Sequence, residues 1–481
     1  MAPSFARSAT AAELPAGNAR EQSANERQDV GHGQDLLVRI CCARFAMLIM
    51  IVVLLGMLPW AVMRAVTDQG SDVYDFVRSS RFIVVHGTRN PCTAFNRYLP
   101  SVDVAFILFT LAPLAVVATA YCLFNIGTWF ALLSTVRDRL LPPRNPSVAS
   151  RGTMAAALMV LVIAADGFMI GAFHVLMVWL MVAGLVHASR GRDWKGGALL
   201  GVATWIKLLP VIGVGYLLLK RKWKAALIAL AVVAAIDIPL SLAAFGWQGT
   251  WHEHAAFLHG GAMGTLQDQM HGEAWIDEDR ITNQSTIVVL RRLLTARAGQ
   301  TSMAVADLSP QGLSIVTGCV LAGLAAGIAT LLRRPGAALS QEEWAGEIAL
   351  LLLGTVWFSP VVWSYHLTAV LPALAVIMAQ DRYEAPKQIV TIAWIVGLAL
   401  FAVPLGRAAG HMLLTSYLIG AVLLWTLSSR GQLAPMAVGL SFGLRGPRRP
   451  AHHRPRGAFA TSRDSGAKSP SSATPEIFLV G

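Results

Sequence analysis

The chain has 481 residues, of which 55% are hydrophobic and only 14% are charged, and its formal net charge is +12 at pH 7. An average soluble domain carries about 25% charged residues, so this composition excludes an ordinary soluble globular protein. A nucleic-acid-binding protein is also disfavoured, because the Lys and Arg residues lie in the tails and in short loops and are not gathered on one soluble face.

Nearly charge-free apolar blocks divide the chain from residue 45 onwards. Many of them approach the roughly 20 residues that a helix needs to cross a bilayer. They predict an all-α integral membrane protein, a polytopic bundle of about 10–12 transmembrane or re-entrant helices that fills residues 45–429. Residues 1–44 and the basic segment 430–481 are predicted to be disordered cytoplasmic tails. The blocks are 47–63, 104–133, 154–163, 168–186, 225–244, 313–332, 389–403 and 412–427.

The cationic loops predict the orientation of the bundle. Lys and Arg residues cluster at 190–195, 220–224 and 333–334, and loops of this kind are typically cytoplasmic. Loops 67–100 and 246–310 are then predicted to lie outside, although loop 67–100 also carries four arginines.

Two apolar stretches are interrupted in a way that predicts a site. Stretch 196–219 is bounded by cationic loops at both ends and contains Lys207 and Pro210. One spanning helix cannot start and end on the same side of the membrane. The stretch is therefore either a re-entrant pair of half-helices, or the number of neighbouring membrane helices differs by one from the predicted number. Stretch 350–378 is broken by the run SPVVWSYH at 359–366. Irregular backbone at membrane depth is tolerated where it lines protein or a wet cavity, so both breaks point toward a functional site.

The first outer loop is predicted to contain a helix that lies on the membrane interface and begins near Asp72. Its apolar residues fall on one helical face, and its charged residues fall on the wetter sides. Asp72 is either a solvated carboxylate at a helix start or a general base, since an ordinary pKa of about 3.9 leaves it ionised and able to accept a proton from a hydroxyl. The apolar residues are Val73, Phe76, Val77, Ile83 and Val84, and the charged ones are Asp72, Asp75, Arg78 and Arg81.

Four ionisable residues interrupt apolar sequence, namely Asp166, His174, Lys207 and Asp237. Such groups are costly at membrane depth and are functional candidates by default. A tight turn also explains Asp166, and pairing also explains Asp237. Lys207 stands in a broken helix, where it could hold a phosphate group as a point charge.

A metal site is disfavoured. The long outer loop contains His252-Glu253-His254, but an H-x-H motif without a third ligand at helical spacing is weak. The five cysteines include no C-x-x-C pair. The sequence therefore predicts neither a metal nor a cofactor.

Taken in order, the residues resemble the bacterial polyprenol-phosphate-sugar-dependent glycosyltransferases of the GT-C fold. More narrowly, they resemble the family of phosphatidylinositol-mannoside α-mannosyltransferases, glycosyltransferase family 87. The resemblance spans roughly residues 45–430, and its short motifs are specific only in combination. The family often has Gln in place of Ala172 and a second His in place of Tyr365. The motifs are Asp72 with Tyr74, then Gly87, Tyr98-x-Pro100, 171–174, 201–210, Asn283-Gln284-Ser285 with Arg291, and Trp363-x-x-His366.

The resemblance implies a GT-C bundle that transfers a sugar from a polyprenyl-phosphate donor, and mannose is the sugar that it favours. Transfer would invert the anomeric centre and take place on the extracytoplasmic side of the bacterial cytoplasmic membrane, to a lipid-linked or envelope-glycan acceptor. Asp72 would be the general base. The implied donor-phosphate ligands are Lys207, His366 and Arg291, and the implied substrate contacts are Tyr74, His174, Asn283, Gln284 and Trp363. The leaving group is already an anionic phosphate ester, so no divalent metal is implied.

Two other classes of protein stay open. A transporter or flippase also has broken helices and buried charges near the midplane. It is expected to show a repeat that relates the two halves of the chain, and no such repeat is visible in the sequence. A structural partner in an envelope complex would have no need for ionisable residues inside the membrane.

Overall fold

The computed structural model describes residues 44–67, 70–89, 98–142, 146–259, 281–296, 303–380 and 384–428. All of these residues belong to one compact unit, Met1–Pro435. Every regular element in these ranges is helical, which confirms the predicted all-α fold class. The predicted tails lie outside the described residues, except that Arg44 already belongs to the first helix.

Sixteen helices follow one another along the described ranges, in addition to a single 3-10 turn at Gly336–Ala338. In chain order they are α1 (Arg44–Val66), α2 (Asp72–His86), α3 (Pro100–Leu111), α4 (Leu114–Leu140), α5 (Pro146–Ile170), α6 (His174–Ser189), α7 (Asp193–Ile206), α8 (Val211–Leu219), α9 (Trp223–His259), α10 (Thr286–Leu294), α11 (Pro310–Leu331), α12 (Gln341–Trp357), α13 (Ser364–Met378), α14 (Glu384–Ala402), α15 (Pro404–Ala408) and α16 (His411–Ser428). Seven of them, α1, α4, α5, α9, α11, α14 and α16, are long and apolar enough to cross a membrane, and α3, α6 and α13 are shorter apolar helices.

The core of the bundle is formed by helices that bury almost every side chain. α6 and the part of α12 from Trp344 onwards are of this kind, and α13 is similar. By contrast, α1 and α11 are strongly apolar yet bury few side chains. An apolar helix that stays uncovered by protein is suited to lipid, so α1 and α11 form part of the outer wall.

Helices α7 and α8 form a re-entrant hairpin, which confirms one of the two alternatives predicted for stretch 196–219. α7 ends where Lys207 adopts an extended conformation, and α8 begins directly after Pro210. The hairpin packs tightly because its helix–helix contacts use glycine: a Cβ on Gly201 would lie 2.6 Å from the carbonyl oxygen of Ala229 in α9. Lys207 is thereby held at the tip of the hairpin.

The second interrupted stretch also forms a hairpin. α12 ends at Trp357 and α13 begins at Ser364. Between them, Val362 exchanges hydrogen bonds with the segment before α10: its carbonyl accepts from the backbone N–H of Gln284, and its own N–H donates to the Asn283 side chain. The connection 358–363 therefore has backbone groups paired although it is not helical, as a buried loop requires.

The predicted helix of the first outer loop is α2. Val73, Phe76, Val77 and Ile83 are buried against the rest of the protein, whereas Val84 is exposed. That the apolar face of α2 lies on the membrane interface stays a prediction. The buried side of α2 rests on aromatic rings contributed by α3, the turn before α6 and the segment before α3: Phe76 lies 4.6 Å from Phe106, 5.1 Å from Phe173 and 5.0 Å from Tyr98, measured between ring centroids.

Candidate functional site

Lys207 and His366 bring the tips of the two hairpins together. The Nζ atom of Lys207 lies 2.9 Å from Nε2 of His366. The backbone N–H of Trp363 donates to Nδ1 of the same ring over 2.8 Å, so the proton of a neutral His366 must be on Nε2. While Lys207 carries its charge, neither of these two nitrogens can accept a hydrogen bond from the other. An anionic oxygen placed beside them could accept from both.

His174 adds a third nitrogen-bearing group to this place. Its ring centroid lies 4.7 Å from that of His366, and the side chain is buried at the start of α6. Within the described part of the chain, neither of its ring nitrogens has a partner in hydrogen-bonding geometry. A buried polar group without a partner is costly, so His174 is suited to a bound polar ligand.

Asp72 is the first residue of α2. The Ser71 side chain caps this helix by accepting a hydrogen bond from the backbone N–H of Tyr74. Asp72 keeps part of its surface accessible, but protein atoms surround its carboxyl group, and this burial raises its pKa to about 7. Asp75 raises the pKa further, whereas the charges of Lys207 and Arg64 lower it. Asp72 thus lies within electrostatic reach of Lys207.

Gly171 is the reason why α2 can dock so close to the other catalytic candidates. It forms the turn between α5 and α6 with φ at +76°, a conformation that favours glycine. A Cβ at this position would lie 2.5 Å from a methyl group of Val73. The turn that positions His174 therefore packs directly on the residue next to Asp72.

Asp166 and Asp237 are both engaged by hydrogen bonds. The Ser364 hydroxyl donates to Asp166, which ties α5 to the start of α13. Asp237 accepts from the Ser101 hydroxyl and lies 2.6 Å from Nε2 of His254. These contacts brace the elements around Lys207 and His366. Asp237 is thus a paired group, in agreement with the pairing that the sequence suggested for it.

The His252-Glu253-His254 motif has its side chains directed to different partners. Glu253 accepts a hydrogen bond from the backbone N–H of Arg89, and His254 contacts Asp237. No group of three or more candidate metal ligands occurs among the described residues.

Asn283 and Gln284 act as braces in the structure. The Asn283 side-chain oxygen accepts hydrogen bonds from the backbone N–H groups of Val362 and Ser285, at 3.0 and 3.1 Å. The Gln284 side chain donates to the backbone of Ile281 and Arg407. Both residues therefore hold the loop that leads into Trp363 and His366. Direct contact with substrate remains a prediction for them.

Arg291 and Tyr74 lie on helices other than those that carry Lys207 and His366. Arg291 is buried on α10, five residues after the first residue of that helix. Tyr74 is half-buried on α2, two residues after Asp72, and helical geometry turns it to a different side of the helix. Their predicted roles stay predictions.

Two buried polar residues on α4 were missed by the sequence analysis. The Tyr121 hydroxyl and both polar atoms of the Asn125 side chain have no hydrogen-bond partner in the described ranges. Tyr121 packs 5.3 Å from Phe173, beneath α2 and beside the turn to His174. Their separation of four residues, which places them on one helical face, was the available signal. They lie within an apolar block, and this concealed them.

Together these residues form an acid–base group beside a cluster of nitrogen donors. A carboxyl group with a pKa of about 7 can exchange a proton near neutral pH. Lys207, His366 and His174 can stabilise negative charge as it develops beside that carboxyl group. The arrangement suits the deprotonation of a hydroxyl coupled to the departure of an anion.

The comparison with protein families decides the class. The family model of glycosyltransferase family 87 matches residues 97–345, slightly more than half of the chain. The chain belongs to glycosyltransferase family 87. This confirms the family that the sequence motifs predicted. Among the candidate site residues of this chain, Lys207 and His174 lie inside the matched range, whereas Asp72 precedes it and His366 follows it.

Two curated relatives are mannosyltransferases of Mycobacterium tuberculosis. The polyprenol-phosphate-mannose-dependent alpha-(1-2)-phosphatidylinositol mannoside mannosyltransferase of strain H37Rv is 26% identical over 244 residues, which covers 45% of this family 87 chain and 53% of the relative. The corresponding pentamannoside mannosyltransferase of strain CDC 1551 is 26% identical over 315 residues, 64% of each chain. The family 87 chain thus spans between half and two thirds of the length of these relatives.

One solved structure is similar to this family 87 chain over most of its length. It is the crystal structure of ArnT from Cupriavidus metallidurans bound to undecaprenyl phosphate. The TM-score is 0.39 at 15% sequence identity, and the match covers 80% of this chain and 78% of that chain.

Proposed function

We propose that this protein is a membrane glycosyltransferase that moves a sugar from a polyprenyl-phosphate donor to a lipid-linked or envelope-glycan acceptor. The sugar that we propose is mannose. The observation that carries the proposal is the placement of Asp72, with its pKa of about 7, within electrostatic reach of the Lys207–His366 pair. Membership of a glycosyltransferase family supports an enzyme and gives no support to the transporter alternative.

In the proposed reaction Asp72 is the general base. Its carboxylate takes the proton from the acceptor hydroxyl while that oxygen attacks the anomeric carbon of the donor sugar. The bond from that carbon to the phosphate oxygen breaks, and the electron pair leaves with the polyprenyl phosphate. A single displacement of this kind inverts the anomeric centre.

Lys207 and His366 stabilise the departing phosphate in this proposal. The leaving group gains one negative charge during the reaction, and preorganised donors matter most where charge develops. Arg291 is a further candidate for the phosphate on the grounds of the family motif. No metal and no cofactor takes part in the proposed step.

The sugar is proposed to occupy the space between α2, α4 and α6. His174, Tyr121 and Asn125 have buried polar atoms without partners among the described residues, and sugar hydroxyls supply both donors and acceptors. Tyr74 and Trp363 are proposed contacts at the rim. Asn283 and Gln284 act on the substrate mainly through the loop that they hold.

The identity of the donor is proposed from the relatives, both of which are named as polyprenol-phosphate-mannose-dependent. The location is proposed to be the bacterial cytoplasmic membrane with the site on the extracytoplasmic side. The cationic connections 190–195 and 220–224 lie at the far ends of α6, α7 and α8 from this site, as the positive-inside rule requires for that orientation.

The test is sugar transfer by the purified protein from radiolabelled polyprenyl-phosphate-mannose, with a lipid extract of the host as acceptor. Asp72→Asn should lower the transfer rate by about 10²–10⁴-fold, because the loss of a general base has effects of that size. Asp75→Asn is the matched control, since it removes a carboxylate from the same helical turn. It should keep most of the activity.

Transfer by the wild type that survives in Asp72→Asn but is lost in Asp75→Asn would move the base to Asp75. Failure of the wild type to transfer either mannose or, in a second assay, arabinose from the matching donors would count against the proposed function as a whole.

A further inference from the structure

A half-open cavity of about 650 Å³ lies at the end of the bundle opposite to Asp72. Its walls come from three connections: α6 to α7, α8 to α9, and the segment 335–341 before α12. Small-molecule sites typically have volumes of about 300–1,000 Å³. α6 and α7 are each more than about 20 Å long at 1.5 Å per residue, so the cavity is separate from the site around Lys207.

The lining of this cavity is strongly cationic. Four cations, Arg190, Lys220, Arg221 and Lys222, line it together with a single carboxylate, Asp193. Lys220 is neutralised by a close ion pair, which it forms with Glu347 behind the wall at 2.6 Å. The Nζ atom of Lys222 is 3.8 Å from Asp193, too far for a hydrogen bond. The lining therefore keeps an excess of positive charge.

Two helix N-termini add to this positive potential. α7 and α9 begin at the cavity, and their N-cap residues are Arg192 and Lys222, which provide no side-chain cap. The amide groups of a helix N-terminus carry a positive partial charge and favour anions. α7 has the acidic Asp193 in its first turn, whereas α9 has no acidic residue there and follows a cationic N-cap, so the start of α9 places like charges together.

Arg221 provides the most specific observation. α8 ends in a motif in which the N–H groups of Arg221 and Lys222 donate to the carbonyls of Leu218 and Leu217, and this motif requires a left-handed residue at Arg221. Its φ is +59°, and it is the one non-glycine residue with positive φ among the described ranges. Glycine is the usual residue there.

The same cavity contains a direct comparison for this position. α6 ends in an equivalent motif, in which the N–H of Arg192 donates to the carbonyl of His187, and the left-handed residue is Gly191 with φ at +75°. A topology signal needs a positive charge near the membrane, but it does not need that charge in a strained backbone conformation. A glycine at this position would avoid the strain, whereas the arginine adds a cationic side chain to the cavity lining.

We propose that this cavity binds an anion that carries a phosphate group, supplied either by the headgroup of an anionic lipid or by a soluble phosphate. Arg190, Arg221 and Lys222 contact the phosphate oxygens, and Lys220 with Glu347 fixes the wall behind them. Trp344, which is buried, forms the floor. This inference is independent of the proposed transfer reaction.

The test compares the thermal unfolding of the full-length protein in two arms. In one arm inorganic phosphate is added to protein in a neutral detergent, against chloride at matched ionic strength. In the other arm the protein is placed in nanodiscs of phosphatidylcholine with or without phosphatidylglycerol. Arg221→Gly should unfold at a higher temperature than the wild type without anion, because the strain is relieved, yet bind phosphate on the order of tenfold more weakly.

Lys224→Gln is the matched control, since it removes an exposed charge from the first turn of α9, outside the cavity lining. A response to inorganic phosphate that is lost in Arg221→Gly and kept in Lys224→Gln identifies a soluble phosphate. The same pattern with phosphatidylglycerol alone identifies a lipid headgroup. Equal responses of the two variants, or no response of the wild type in either arm, overturn the proposal. Arg221→Asn, which tolerates the left-handed conformation, replaces Arg221→Gly if that variant does not fold.

Discussion

The charge state of Asp72 depends on two opposing features of its surroundings. Burial disfavours the carboxylate and raises the pKa to about 7, while the nearby charges of Lys207 and Arg64 partly offset that rise. In the unfolded chain the same group has an ordinary pKa near 3.8. The folded protein therefore holds this proton more tightly, and the corresponding stability is lost as the pH rises through about 7. A general base must be ionised, and the ionised form of Asp72 is the form in which the folded protein is less stable.

This coupling gives a pH prediction for Lys207. In the wild type the transfer rate should rise with pH around a midpoint of about 7, since a base must be ionised. Lys207→Met should move that midpoint to higher pH, because the removed charge lowers the pKa of Asp72, and should reduce kcat/KM by about 100-fold on the plateau.

The measurement is the pH dependence of kcat/KM. Lys195→Met serves as the control, because Lys195 is exposed at the other end of α7. A midpoint unchanged in Lys207→Met would contradict the electrostatic link between Lys207 and Asp72.

Residues of the candidate site differed in how visible they were in the sequence. His174 and Lys207 could be selected because ionisable groups are conspicuous in apolar surroundings, and Asp72 could be selected because it begins a helix with one apolar face and matches a family motif. Tyr121 and Asn125 could not, because tyrosine and asparagine inside an apolar block are usually satisfied by neighbours. Only the structure shows that their polar atoms, although close to each other, form no hydrogen bond of standard geometry among the described residues. Whether a buried side chain finds a hydrogen-bond partner depends on how distant segments pack, and the sequence alone does not show that packing.

At the scale of elements, the contact between α2 and the α5–α6 turn sets the position of Asp72. Gly171→Ala should lower the free energy of unfolding by about 2–4 kcal/mol, from left-handed strain together with the collision with Val73. Transfer should fall by about tenfold or more, since small displacements of a catalytic group are costly. Thermal unfolding and transfer rate are measured on the same preparations.

Gly87→Ala is the matched control for this element. Gly87 ends α2 with φ at +68°, but a Cβ there would meet no atom within 4 Å. It should show the strain without the collision and keep its activity. The double variant Gly171→Ala with Val73→Ala should recover part of the lost transfer. If Gly87→Ala impairs transfer as much as Gly171→Ala does, the contact with Val73 is not what positions Asp72.

The sequence predicts some features of the two hairpins and leaves others open. Both interruptions were predicted, because Lys207 and Pro210 in one stretch and a Ser-Pro pair in the other break apolar helices. The sequence left two alternatives open for stretch 196–219, and it did not indicate that Lys207 would meet His366. That meeting depends on the packing of α7 against α6 and α9. Gly197 and Gly201, four residues apart, permit the close approach of α7 to α9, but their spacing does not tell which helix is the partner.

At the scale of the whole molecule, the two hairpins are joined at both of their ends. Lys207 meets His366 at the tips, and Lys220 meets Glu347 at the other end, where Tyr216 also donates to Glu347 over 2.7 Å. The second contact is buried, and it fixes α8 to α12. Contacts at both ends therefore fix the position of the Lys207 tip relative to the His366 tip.

Glu347→Gln should therefore destabilise the protein by about 3–5 kcal/mol, because it leaves the Lys220 charge buried without its partner. Asp138→Asn is the control: its pair with Arg137 is largely exposed, and its loss should matter by about 0–1 kcal/mol. Denaturation in one detergent compares the two. The double variant Lys220→Met with Glu347→Leu should restore much of the stability, and its failure to do so would argue that more than charge is involved.

The α7–α8 hairpin also has a consequence for how such a chain can diverge. A hairpin that returns to the end where it started leaves the side of the next helix unchanged. Both arms can therefore lengthen or shorten together without inverting the spans that follow. The depth to which Lys207 projects can therefore change with the length of the two arms, and with it the space that the proposed donor sugar would occupy, while the direction of insertion stays the same.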